Sequence, residues 1–295
     1  MSDFGKATVV YSAALTSLIR WTWRSRVASA LAAFIVVGVH VMLPGSGAAQ
    51  VIGGPRPAPT SESQLGFLTR FDAHASGQRI SGDGESQFNW DTDIGVDMDI
   101  FDLDLLRGNV FINVETIVGD ERRAIDPNQN NYTFDLSVFT RLPRGEIGTT
   151  FHHVSRHLSD REQLGSPAWN MLGLTYGDRY TYASLNFEMV GRWLRVIEGS
   201  EVDYEQEVDT SIRISRPMSE RIALFGRFDG SMVTVDQKMF GRSTQYGGRV
   251  EGGVRIEGGI GAVELLVGRE RRIDADFFAR RPIRWTELGF RFVLD

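Results

Sequence analysis

The chain has 295 residues, 42% hydrophobic and 24% charged, a composition that excludes a disordered polypeptide. The formal net charge is −6 and the basic residues are spread along the chain, so there is no nucleic-acid footprint. Cysteine is absent, which removes disulfides, thiolate catalysis, thiolate metal ligation and a lipidated cysteine.

The first predicted element is a leader. Arg20, Arg24 and Arg26 precede the apolar run 27–43, and small residues Gly47 and Ala49 stand at −3 and −1 of a cleavage point before Gln50. This layout assigns residues 1–49 to a signal peptide with a long n-region. The apolar run is short for a spanning helix. Residues 50–63 are rich in Pro, Gly and Ser and read as a periplasmic linker, too short for a plug domain.

From residue 64 to 295 apolar and polar residues alternate with period two. Twelve strands are predicted, at 65–75, 88–101, 108–118, 131–142, 146–157, 168–177, 180–194, 202–215, 220–234, 245–258, 260–270 and 284–294. Most reach the roughly 9–11 residues that a tilted strand needs to cross a bilayer. The connections alternate between short (101–108, 143–145, 178–179, 216–219, 258–259) and long (76–87, 119–130, 158–167, 195–201, 235–244, 271–283).

In the second strand Phe88, Trp90, Thr92, Ile94, Val96, Met98 and Ile100 oppose Asn89, Asp91, Asp93, Gly95, Asp97 and Asp99. In the eighth, Tyr204, Val208, Ile212 and Ile214 oppose Glu205, Glu207, Asp209 and Arg213. Alternation alone fits a soluble barrel with its charges outside as well as a membrane barrel with its charges inside. The leader, the strand lengths and the loop asymmetry select the second. The predicted fold is all-β: a twelve-stranded antiparallel up-and-down transmembrane barrel after a signal peptide, in the outer membrane of a Gram-negative bacterium, with both termini periplasmic. Trp90, Tyr132, Tyr180, Trp193, Tyr204, Tyr246 and Trp285 are expected in interfacial girdles. Leu288, Phe290, Phe292 and Leu294 alternate in the last strand, which resembles the C-terminal insertion signal of bacterial outer-membrane barrels. The expected partners are outer-membrane lipids and, during insertion, periplasmic chaperones and the barrel-assembly machinery. No cofactor is expected, and nothing predicts an oligomer.

The expected lumen charges are Asp91, Asp93, Asp97, Asp99, Glu205, Glu207 and Asp209 against Arg213, Arg221, Arg227, Arg249 and Arg255. Paired, they make a closed polar core; hydrated, they line a channel. The aspartate ladder is either a divalent-cation site or, as expected here, a row neutralised by arginines of neighbouring strands.

One segment carries the residues of catalysis. Within 149–162, His153 and Ser155 share a strand face with Ile147, Thr149, Phe151 and His157, and three of the chain's five histidines lie here. On a lipid-facing row, polar groups carry a desolvation cost. A histidine base beside a serine nucleophile suits ester hydrolysis, with Asp160, Asn170 or Asp135 to orient the ring. In the non-catalytic reading His152, Arg156, His157, Asp160, Arg161 and Glu162 form a rim network that fixes the adjoining loop. A metal site on His153, His157 and Asp160 needs a bulge, since residues four apart in a strand stand about 13 Å apart.

The His153-x-Ser155 pair resembles the site of outer-membrane phospholipase A, a twelve-stranded barrel, and that of lipid A deacylases. Those enzymes carry Asn after the serine where this chain has Arg156. His153, Ser155, His157, Leu158 and Asp160 also resemble the H-x-S-x-H-L-x-D segment of a family of bacterial outer-membrane barrels without an assigned role, which implies location more than activity. The sequence therefore leads to a non-enzymatic barrel, a narrow pore or a structural or surface-binding protein. The alternative is an outer-membrane lipid hydrolase using His153 and Ser155.

Overall fold

The computed structural model describes residues 55–57, 66–83, 87–159, 165–276 and 279–294, all within one compact unit. The predicted leader and most of the predicted linker lie outside them. Twelve strands follow one another: β1 Gly66–Gly82, β2 Trp90–Asp102, β3 Leu106–Gly119, β4 Asp126–Arg141, β5 Glu146–Leu158, β6 Ala168–Tyr182, β7 Leu185–Ser200, β8 Tyr204–Pro217, β9 Ile222–Val235, β10 Gln245–Glu257, β11 Ala262–Asp276 and β12 Arg281–Leu294. Each pairs antiparallel with its neighbours, and β1 closes on β12 from Ala73–Leu294 to Gly82–Trp285. Closure leaves no free sheet edge, so every strand amide can be satisfied without water.

The polarity is that of a membrane barrel. Ile94, Leu136, Leu174, Val250, Val267 and Leu288 are exposed outside, whereas Asp97, Arg107, Asp135, Arg192, Arg249 and Glu287 are buried inside. A soluble barrel has the reverse arrangement, so the outward apolar band places the chain in the outer membrane. Among the described residues no helix is long and apolar enough to cross a membrane. The one helix described there, α1, covers Gln237–Phe240 in the β9–β10 loop.

The strands run further at their outer ends than the hydrophobic alternation indicates. β1 continues to Gly82, β7 to Ser200 and β11 to Asp276, and β4 begins at Asp126. Pairing needs only backbone amides, so it persists through polar residues beyond the apolar band. The loops at 201–203 and 277–280 are consequently as short as the inner turns, and the expected alternation of loop lengths fades. The turn expected at 178–179 lies instead at Ala183–Ser184, with φ of 49° and 64°. Positive φ at both central residues matches the right-handed strand twist of a two-residue hairpin.

Two expected girdle residues are inside. Trp285 is buried with Ile80, Phe88, Ile117 and Ile283, sharing its inward row with Glu287. Tyr204 is buried with Trp169, Met171, Leu194 and Val233. A bulge between Tyr204 and Gln206 reverses the facing of β8 at its start, which period two does not show. Phe88 precedes β2 and packs inward on Trp285, with ring centroids 5.7 Å apart. These two clusters form apolar caps within the outer end of the barrel. Trp90, Tyr132, Trp193 and Tyr246 do face outward.

At the opposite end, Pro55 and Pro57 are buried. The Arg56 amide donates to Asp97 Oδ2 at 2.7 Å, and Arg107 donates to the Arg56 carbonyl at 3.3 Å. A Pro-Arg-Pro stretch suits this place because proline has no N–H, so one backbone donor needs a partner there. Part of the segment expected as a linker thus occupies the mouth on the side of the short turns.

Candidate active site on the lipid-facing rim

The lumen is crossed by ion pairs. Arg192 bridges Asp135 at 3.0 Å and Asp209 at 2.9 Å. Arg213 meets Glu264 at 2.6 Å, Arg249 meets Glu251 and Glu287 at 2.9 Å, and Arg291 joins Glu251 and Glu264. Arg70 and Arg107 share Asp99, and Arg70 also meets Asp97 at 2.7 Å. Arg227 pairs with Asp229, and Arg255 with Glu257 and Glu264. Asp91, Asp93, Asp97, Asp99, Glu207 and Asp209 all face inward. Two expected lumen charges do not. Glu205 is exposed, because the bulge at Tyr204–Gln206 places it outside, and Arg221 is exposed in the turn between β8 and β9. Between these pairs lies a cavity of about 120 Å³, lined in part by Arg56, Asp93, Asp97 and Asn113.

The histidine segment divides between the two faces of β5. His152 points inward, where its Nδ1 contacts Asp135, the carboxylate that also holds Arg192. Arg156 points inward as well, donating to the Asp274 carbonyl at 2.6 Å and lying over the Trp169 ring. Asp135 is therefore on the wrong side of the wall to orient His153. Asp160, Arg161 and Glu162 lie outside the described residues.

His153 lies on the outward row. It pairs with Phe134 on β4 and Asn170 on β6, and Phe151 below it pairs with the exposed Leu136 and Leu172. Directly opposed residues share a face. Ser155 is opposite the exposed Tyr132 and so belongs to the same row, although it is only 9% exposed itself. His157 follows on that row with its ring edge-on to Tyr132, 5.6 Å between centroids.

The row continues across strands as a polar chain. His153 Nδ1 lies 2.7 Å from Asn170 Oδ1, and Asn170 Nδ2 donates to Glu198 Oε2 at 3.0 Å. An amide oxygen only accepts, so this contact places the proton of a neutral ring on Nδ1 and leaves Nε2 as the base. Among the described residues no hydrogen bond joins His153 to Ser155. Residues two apart on a strand stand about 7 Å apart at Cα, and catalytic contacts commonly tighten only when substrate binds.

Glu198 escaped the sequence. It reaches Asn170 through a register shift between Asn170 and Met171 in the β6–β7 pairing, which no alternation pattern signals.

No family model and no curated protein matches the sequence. Solved structures resemble it at fold level. An outer membrane channel of Pseudomonas putida F1 is 9% identical, with a TM-score of 0.48, over 80% of this chain and 98% of that one. The outer membrane phospholipase of Salmonella typhi is 10% identical, with a TM-score of 0.47, over 81% and 94%. The translocator domain of the autotransporter NalP of Neisseria meningitidis is 12% identical, with a TM-score of 0.39, over 79% and 90%.

Proposed function

We propose that this barrel is an outer-membrane lipid hydrolase that cleaves lipid esters at the outer rim of β5 and β6. The observation that carries the reading is the 2.7 Å contact of His153 Nδ1 with Asn170 Oδ1 on the row that also holds Ser155. The polar groups of this row lie on the lipid side, where they are costly unless used. Ser155 Oγ attacks the ester carbonyl while His153 Nε2 accepts its proton. The imidazolium then protonates the leaving alkoxide, and water, activated by the same ring, releases the acid from the acyl-serine. Asn170 holds the ring in the required tautomer, and Glu198 fixes the amide by accepting from its Nδ2. The ion-paired lumen supports a role on the outer surface rather than in conduction.

The test is release of fatty acid from mixed micelles by the refolded, purified chain. Ser155→Ala should lower the rate by about 10³-fold or more, on the scale of losing a nucleophile. Asn170→Ala should lower it by about 10–10²-fold. Equal rates for Ser155→Ala and wild type exclude Ser155 as the nucleophile. A second reading, a non-enzymatic structural or surface-binding barrel, is favoured by the cover over Ser155 and its missing contact with His153. It predicts no release above a lipid-only control.

A further inference from the structure

We propose that the outer half of the lumen binds a divalent cation between Asp91, Asp93 and Glu115. Asp91 and Asp93 share the inward row of β2, and Glu115 of β3 is paired directly with Asp93. One oxygen from each of the three carboxylates lies within 4.8 Å of the others. Ligands around one calcium ion, bound at about 2.3–2.6 Å, can be at most about 5 Å apart.

The hydrogen bonding points independently to an ion. Asp91 is fully buried, yet its Oδ1 has no hydrogen-bond partner. Asn113 donates to Asp93 Oδ1 at 3.0 Å and so holds that carboxylate in place beside it. Buried acceptors without donors are rare and expensive.

The local charge is unbalanced as well. Asp91 belongs to a second carboxylate group with Glu270 and Glu287. Among the described residues, the cations touching these five carboxylates are Arg272, on Asp91, Glu115 and Glu270, and Arg249, on Glu287. Among the described residues no arginine or lysine pairs with Asp93, which is held by Ser76 at 3.1 Å and by Asn113. A divalent ion at Asp91, Asp93 and Glu115 supplies most of the missing positive charge and satisfies the orphan oxygen.

The donor set is all oxygen, which selects calcium or magnesium over softer metals. Water has access from inside, since Asp93 and Asn113 line the cavity of about 120 Å³, and Asn113 and Glu115 line a second of about 40 Å³. Both have room for water ligands. From outside, the site lies beneath the cap containing Phe88, Ile117 and Trp285. The ion therefore enters as the barrel folds and exchanges slowly afterwards.

The full chain is refolded from urea into detergent micelles, in chelator-treated buffer supplemented with calcium or terbium, and desalted. Folding is checked by heat-modifiable gel mobility, and retained metal by elemental analysis. About one ion per folded barrel is expected. Asp93→Asn and Glu115→Gln should each lower retention at least tenfold, and Glu205→Gln, on the outside, should leave it unchanged. Trp285 lies under the Arg272 guanidinium, which itself contacts Asp91 and Glu115, and so stands close enough to sensitise terbium. Trp285→Phe should keep the ion and lose most of the tryptophan-excited luminescence. A folded wild-type barrel that retains no metal overturns the proposal, as does retention that survives both lumen substitutions.

Discussion

Arg272→Met separates a lumen held by ion pairs from one that is merely wet. The Arg272 guanidinium lies 2.8 Å from each of Asp91, Glu115 and Glu270 and is 3% exposed. It also lies over the Trp285 ring, 4.9 Å from the centroid. Methionine keeps much of the volume and none of the charge. Removing one partner of a buried pair costs about 3–5 kcal/mol, and the lost cation–π contact adds roughly 0.5–2 kcal/mol. The two contributions share one group and do not simply add, so the expected loss is about 4 kcal/mol. With a urea slope of about 2 kcal/mol per molar, the unfolding midpoint falls by roughly 2 M. The assay is urea titration in detergent with chelator present, followed by tryptophan fluorescence and gel mobility. Adding Glu270→Gln to Arg272→Met should restore part of the loss, because one uncompensated charge disappears. A loss under about 1 kcal/mol, the range of solvent-exposed pairs, would refute the reasoning and mean that water screens the lumen.

Other substitutions test the wall and the turns. Ala183→Asn with Ser184→Gly should raise stability by about 1–2 kcal/mol, because both positions hold positive φ without glycine; an unchanged urea midpoint would show the native turn to be unstrained. Val267→Arg, on the lipid face midway along β11, should cost about 2–4 kcal/mol in bilayers and clearly less in micelles, measured by folding titrations in each. Wild type in planar bilayers should give no steady conductance. Deletion of residues 50–63 should widen only the periplasmic vestibule, since Arg192, Arg249 and Arg272 still cross the lumen above it. A stable open channel in wild type would contradict the closed interior.

The fold was legible because one period carries the information. The strand count and their antiparallel order follow from alternation and turn residues, and the outward row of β12, Leu288 to Leu294, reads straight from the sequence. Legibility stopped where geometry changes phase. The bulge before Gln206 moved Tyr204 inside and Glu205 outside, and nothing in the residue types around it announces an extra residue. Trp285 was readable: it has the facing of Glu287, and the expectation of an aromatic girdle overrode its own period. The candidate site was partly legible. His153 and Ser155 follow from spacing within one strand, and Asn170 was among the residues expected to orient the ring. The choice among them needed the β5–β6 register, and Glu198 needed a register shift two strands away. The seating of Pro55–Pro57 against Asp97 and Arg107 depends on contacts far apart in sequence, which composition cannot supply.

The interior pairs have a mechanical consequence. Many join strands that are not neighbours in the wall: Arg192 on β7 to Asp135 on β4, Arg213 on β8 to Glu264 on β11, and Arg272 on β11 to Asp91 on β2 and Glu115 on β3. They act as spokes across a wheel. A hollow hoop of hydrogen-bonded strands flattens easily under uneven lateral pressure, whereas a spoked one keeps its circular section. The outer rows of β5 and β6 therefore hold their angle to the bilayer as the surrounding lipid changes in thickness or tension.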